Sequence, residues 1–241
     1  MLEVFISYPE FMCLESMRNN RAVRVYISDP RILKTLITML NKEGIPFTEL
    51  TANIISNGDI VITNNLQHTI KYLRGKRVYI VEANRATPEY LTNVVEKVKC
   101  LLRGKDRYRT LILGIDPGVK IGLVILGDNE LCKATVFNSV EDLISTVKLA
   151  LLNMPYERAR VRIGNGEKSA RVVNEILNFI EKYKSKELKE KEIVIELVDE
   201  TRTYNIPAVF KGKMGNIPKD VISALNIAVR RGLVIEGIEY S

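Results

Sequence analysis

The chain has 241 residues, 36 Lys+Arg against 29 Asp+Glu for a net charge of +7, and is 46% hydrophobic and 27% charged. Such a composition suits a globular protein with a sizeable core and argues against a disordered or membrane chain. No run approaches the roughly 18 apolar residues of a membrane span, and no secretory pattern opens the chain, so a cytoplasmic protein with no membrane partner is expected.

The basic excess is uneven. Residues 1–110 hold 17 basic against 11 acidic side chains and residues 111–241 hold 19 against 18, so a polyanion such as nucleic acid is the favoured partner and the first half its expected dock. Cys13, Cys100 and Cys132 are isolated and odd in number, which reads as buried thiols rather than a disulfide framework or a zinc site.

In chain order, "AVRVYIS" (22–28) reads as a strand from its β-branched and aromatic content. "PRILKTLITMLNKEG" (30–44) reads as a helix with Pro at its start and Gly just past its end. "IPFTEL" and "DIVIT" (59–63) are strand candidates, "LQHTIKYLRG" (66–75) a helix, "RVYIVEA" (77–83) a strand and "TPEYLTNVVEKVKCLLRG" (87–104) a helix. Alternation of this kind implies βαβ units and a small α/β domain with a mainly parallel sheet, over residues 1–105. "RGKDRYR" (103–109) is the expected linker.

The second half, 110–241, changes rhythm. "TLILGID" and "GLVILGDNEL" are joined by so short a turn that they must form an antiparallel hairpin, and "CKATVF" adds a third strand. "SVEDLISTVKLALLNM" (139–154) is a helix with Ser139 as N-cap, and "RARVRIG" (158–164) a fourth strand. "EKSARVVNEILNFIEKYKSKELK" is a second helix, "EIVIELVDE" (192–200) a fifth strand and "KDVISALNIAVRRG" (219–232) a last helix. The resulting order, βββαβαβα with a mixed sheet, is that of an RNase H-like domain.

Carboxylates recur at the ends of these elements. Asp116 closes the first strand of this half, Glu200 the fifth, and Asp220 opens the final helix. Ligands of open α/β sheets gather at the carboxyl ends of strands, so these acids can converge. Clustered carboxylates repel unless a cation sits among them, and oxygen-rich sites suit Mg²⁺ or Mn²⁺, a pair of which can drive phosphodiester hydrolysis. Taken alone, Asp116 also reads as the first residue of an Asp-Pro-Gly turn, and Glu196, which shares side-chain parity with Glu200, is a rival second acid.

"GIDPGVKIG" resembles the first-strand motif of the YqgF (RuvX)/RuvC-like group of Holliday junction resolvase-related nucleases, "VDETRT" (198–203) resembles the Asp-Glu-Arg-x-Thr motif of the YqgF branch, and "KDVISALNIAVRRG" its closing helix. The resemblance covers about residues 110–235. It implies a Mg²⁺- or Mn²⁺-dependent endonuclease acting on a DNA junction or structured RNA, with Asp116, Glu200 and Asp220 as metal-binding acids and a homodimer as a natural assembly. The fourth strand carries no acid, which sides with YqgF rather than RuvC, and Thr201 stands as an extra residue before Arg202 in the motif.

Substrate contacts are expected from Lys120 at the hairpin tip, from Gly164 and Gly166 in "RIGNGEKS", from Arg202, and from Lys211 and Lys213 in a glycine-containing basic loop. Each also has an ordinary reading, as a solvated lysine or a tight strand-to-helix turn. Two rival functions remain at this stage: an RNase H-fold nucleic-acid-binding or ribosome-associated protein without catalysis, and an ATP-dependent kinase-like protein of the actin fold. In the first half His68 reads as an ordinary helix residue, and Asp29, Asp59 and Glu82 as structural acids. Arg18, Arg21, Arg24, Arg74, Lys76 and Arg77 are a candidate docking surface.

Overall fold

A computed structural model describes residues 21–51, 54–73, 75–189, 191–199 and 217–238. They divide into two units, one reaching Arg107 and including Asn153–Pro155, the other comprising Tyr108–Leu152 and the chain from Tyr156 onward. No helix among the described residues is long and apolar enough to cross a membrane.

In the first unit, strands β1 (Val23–Tyr26), β2 (Phe47–Glu49), β3 (Ile60–Thr63) and β4 (Tyr79–Glu82) alternate with helices α1 (Pro30–Lys42), α2 (Leu66–Leu73) and α3 (Pro88–Leu102). The sheet runs β2-β1-β3-β4 with every pair parallel. Asp29 caps α1, its carboxylate accepting the Arg31 N–H, and Pro30 takes the first helical position where a missing N–H costs nothing. The Arg31 side-chain and backbone N–H groups lower the Asp29 carboxyl to about 2. The helix ends where Gly44 adopts φ +64°, a conformation costly for other residues. Ile32, Leu36 and Leu40 are buried at four-residue spacing with Val25, Ile62 and Val98 in the core.

Among the described residues, the acids of this unit do not form a second metal-binding cluster. Asp59 precedes β3 at its N-terminal end, is 2% exposed, and accepts from Arg24 Nε at 3.0 Å and Ser56 N–H at 3.0 Å. Asp29 and Glu82 lie at the opposite, C-terminal ends of their strands. His68 stacks on Tyr26 at 5.2 Å and 8° and meets the Tyr72 hydroxyl, an ordinary packing role. Two arginines of the expected docking surface are tied into the unit: Arg24 holds Asp59, and Arg21 bonds the Leu101 carbonyl and lies over the Tyr79 ring. Lys76 and Arg77 are exposed; Arg18 and Arg74 lie outside the described residues. Of the thiols, Cys100 is buried as expected but Cys132 is only half-buried, against Tyr108.

The second unit contains β5 (Tyr108–Pro117), β6 (Ile121–Gly127), β7 (Glu130–Phe137), α4 (Val140–Asn153), β8 (Tyr156–Gly164), α5 (Ser169–Tyr183), β9 (Glu192–Val198), α6 (Lys219–Val229) and β10 (Leu233–Ile238). Its sheet runs β10-β9-β8-β5-β6-β7. The meander β5-β6-β7 is antiparallel, β5-β8-β9 parallel, and β10 antiparallel on β9. This is an RNase H-like sheet with one added edge strand. The expected order stopped at the last helix. It omitted β10 because "LVIEGI" directly follows Gly232 with no hairpin signal to pair it.

Two further differences have local causes. Strand β5 begins at Tyr108, inside the expected linker, because Tyr108 is buried and pairs with Tyr156. The second strand breaks at a two-residue turn, since Asp128 and Asn129 adopt φ of 50° and 67°, the pair of positive values a tight hairpin needs and that Asp and Asn tolerate.

Side-chain alternation sorts the β5 face. Leu111, Leu113 and Ile115 point one way; Ile112, Gly114 and Asp116 point the other, toward α6, where Ile112 packs with Val124, Leu126, Val221, Ala224 and Ala228. On β8, helix α5 buries Val172, Val173 and Ile176 in one stripe.

Lys191 closes the C-terminal end of α4. Its ammonium donates to the Leu151 and Leu152 carbonyls at 2.9 and 3.2 Å and sits 4.2 Å from the Tyr156 ring centroid. Burial lowers its pKa to about 8. Between about 8 and the unfolded lysine value near 10.4, the unfolded chain binds the extra proton, so stability rises with pH across that window. Urea melts are expected to show a gain of about 1–2 kcal/mol from pH 8 to 10.5, below the full linkage value because the carbonyls and ring favour the ammonium. Lys191→Met should flatten that difference, and equal slopes in the two proteins would disprove it.

Candidate active site

The hairpin places Asp116 by strand pairing. It lies inside β5, opposite Gly122, with Pro117 opposite Ile121, so the turn itself is Gly118-Val119-Lys120. The reading of Asp116 as first residue of the turn is therefore corrected: the short connection is made one step later. Asp116 is half-buried on the α6 face, beyond Gly114.

Helix α6 approaches that face with unusual closeness. A Cβ added at Gly122 would lie 2.0 Å from the Asp220 carbonyl oxygen, and one at Gly114 would lie 2.3 Å from the Ala224 carbonyl oxygen and 2.5 Å from the Ala228 Cβ. Only a residue with no side chain admits the helix backbone there. The first turn of α6 thus rests on the strand residue paired with Asp116, and Asp220, half-buried, opens that turn. The main chain of one expected acid, Asp220, is thus brought onto the strand pair that carries another, Asp116. Glu200 lies outside the described residues, as do Arg202, Lys211 and Lys213.

Glu196, the rival acid, has another job. It is 2% exposed; Oε1 accepts from Arg160 Nη1 at 2.5 Å, and Oε2 from Arg162 Nε at 2.9 Å and Gly232 N–H at 3.1 Å. Burial raises its pKa, but the Gly232 N–H and both guanidinium groups outweigh that and hold it below the usual carboxylate range. Every Glu196 bond described is to the protein itself. Asp199 is exposed, as its opposite parity implies, and its carbonyl accepts from Arg230.

Around the acid edge, Lys120 is exposed at the hairpin tip. Lys168, which no sequence pattern singled out, donates to the Val119 carbonyl at 2.9 Å and so reaches the same tip from the segment before α5. Gly164 is the buried last residue of β8, paired with Val198, rather than a loop residue; Gly166 lies in the connection, its carbonyl accepting the Ser169 N–H. The α5 N-cap, Lys168, makes no side-chain cap bond.

Carboxylate and main-chain oxygens are the donor types that a hard divalent cation takes. No group of three or more His, Cys, Asp or Glu side chains that could hold a metal occurs among the described residues.

Among known proteins, no family model matches this chain, and no curated protein matches it. One solved structure with which it aligns is T. thermophilus RuvC in complex with a Holliday junction substrate, at 16% identity and a TM-score of 0.34, covering 49% of this chain and 90% of that one.

Proposed function

We propose that the protein is a divalent-metal-dependent nuclease that hydrolyses phosphodiesters of a DNA junction or structured RNA. One observation carries the reading: the Gly122 gap seats the first turn of α6, which Asp220 opens, on the strand partner of Asp116.

In this reading Asp116, Asp220 and Glu200 hold Mg²⁺ or Mn²⁺. A bound divalent cation supplies charge neutralisation and Lewis acidity toward water and the scissile phosphate. The protein supplies position: the hairpin holds Asp116 by strand pairing, α6 holds Asp220 by backbone contact, and Lys120 and Lys168 put positive charge at the hairpin tip where a phosphate would enter. Gly164, Gly166, Arg202, Lys211 and Lys213 are assigned to the substrate backbone, and the first unit to substrate docking or to pairing of two copies.

The test is cleavage of a four-way DNA junction, a duplex and an RNA hairpin in Mn²⁺, Mg²⁺ and EDTA. Cleavage of at least one substrate with metal, and of none in EDTA, is expected. Binding without cleavage under every metal condition overturns the nuclease reading in favour of a nucleic-acid-binding protein.

A further inference from the structure

The sheet face that carries Asp116 also carries a basic cavity. Arg160 and Arg162 alternate on β8 and therefore share a face, and Arg162 stands in one cross-strand row with Gly114 and Glu196. A cavity of about 360 Å³ is lined by Arg160, Arg162, Glu196, Arg231, Gly232 and Val234. Three arginines and a single glutamate line it.

That carboxylate does not neutralise the cavity so much as aim it. Glu196 fixes the Arg160 and Arg162 forks, and Arg162, 8% exposed, is further held by its bond to the Ala228 carbonyl at 2.5 Å. These bonds occupy only a few of the five N–H donors each guanidinium carries. Arg160 keeps 35% of its side chain exposed, and Arg231 is exposed at the rim. A buried ion pair is a poor source of stability compared with apolar packing, so its worth lies in orienting donors. Planar, pre-set forks with spare donors and a net positive charge match a phosphate oxygen set.

We propose that this cavity seats a phosphate of the nucleic-acid backbone, flanking the one cut at the acid edge. The assignment rests on the nuclease reading for its choice of polymer. By strand rise, Asp116 stands about 7 Å beyond Gly114 in the Arg162 row, on the same face of the sheet, with α6 packed over Gly114. The carboxylates themselves repel a phosphate, and a positive pocket beside them anchors the strand.

The experiment measures binding in EDTA, where no cleavage occurs, by fluorescence anisotropy of labelled DNA and RNA strands across a salt series. Arg160→Gln with Arg231→Gln is expected to weaken binding about tenfold and to lower the salt slope by about 0.7–0.9, the value for one phosphate contact. Lys184→Gln with Lys186→Gln, which removes two charges from an exposed segment, should change affinity by less than about twofold, within ordinary surface effects. Equal losses in the two double variants, or none in the first, overturn the proposal. Inorganic phosphate is the second probe: stabilisation of wild type by phosphate, with strand affinity unchanged in the arginine variant, marks a free-anion site and also overturns it. Should the double variant fail to fold, Arg231→Gln alone carries the test, with an expected loss of about threefold in strand affinity. Because no metal is present, loss of this site and loss of the nuclease reading are read separately.

Discussion

Asp116→Asn is expected to reduce Mn²⁺-dependent cleavage by about 10³-fold, equivalent to roughly 4 kcal/mol of transition-state stabilisation. The substitution keeps the size and planarity of the side chain, so the pairing of β5 with β6 and the packing of Gly114 and Gly122 under α6 should be untouched. It removes one negative charge, and without metal it should leave stability nearly unchanged, because Asn keeps an acceptor oxygen at the same position. Strand affinity in EDTA should likewise hold or improve. A drop in rate with unaltered melting and unaltered binding is the signature sought; undiminished cleavage by the Asn variant removes Asp116 from the chemistry.

Glu196→Ala should do the opposite, costing about 3–5 kcal/mol of stability by leaving the buried Arg162 charge without its carboxylate and the Gly232 N–H without its acceptor. The cost should depend on pH with a defined sign. The carboxyl is held below its unfolded value, so its contribution is complete above about pH 4.3 and is lost as pH falls through the folded value. Wild type and variant should therefore converge in acid. Replacing Arg160, Arg162 and Glu196 together by apolar residues of similar volume should recover most of the loss, since the penalty comes from the orphaned partner. Denaturant melts of the three proteins decide this, and a single variant as stable as wild type at pH 7 rules it out.

Much of the fold was legible because its signals are local. A turn too short for a crossover forces β5 and β6 to run antiparallel, and alternating strand and helix patterns in the first unit force parallel pairing. What escaped depends on pairing across distance. Strand β10 is an edge whose ladder with β9 has no hairpin to announce it. Glu196 read as a possible ligand because its partners Arg160 and Arg162 are 36 and 34 residues away, on a neighbouring strand. Asp59 likewise meets Arg24 only once β1 and β3 are aligned. Asp116 and Asp220 were nameable as acids at element ends. The missing side chain at position 122, which seats the Asp220 main chain on the strand partner of Asp116, becomes visible only when the helix is in place.

That missing side chain has a further effect. Helix α6 touches the hairpin at Gly122 through its own main chain, without an intervening layer of rotatable groups. The interval between the α6 main chain and the strand pair that carries Asp116 is consequently gauged by peptide geometry, which is stiff, rather than by rotamers, which drift. Apolar neighbours such as Val124, Val221 and Leu225 can exchange for others of like volume while the gauge keeps its setting. An alanine at 122 would act as a shim, lifting the helix and opening the interval with every carboxylate still in the chain.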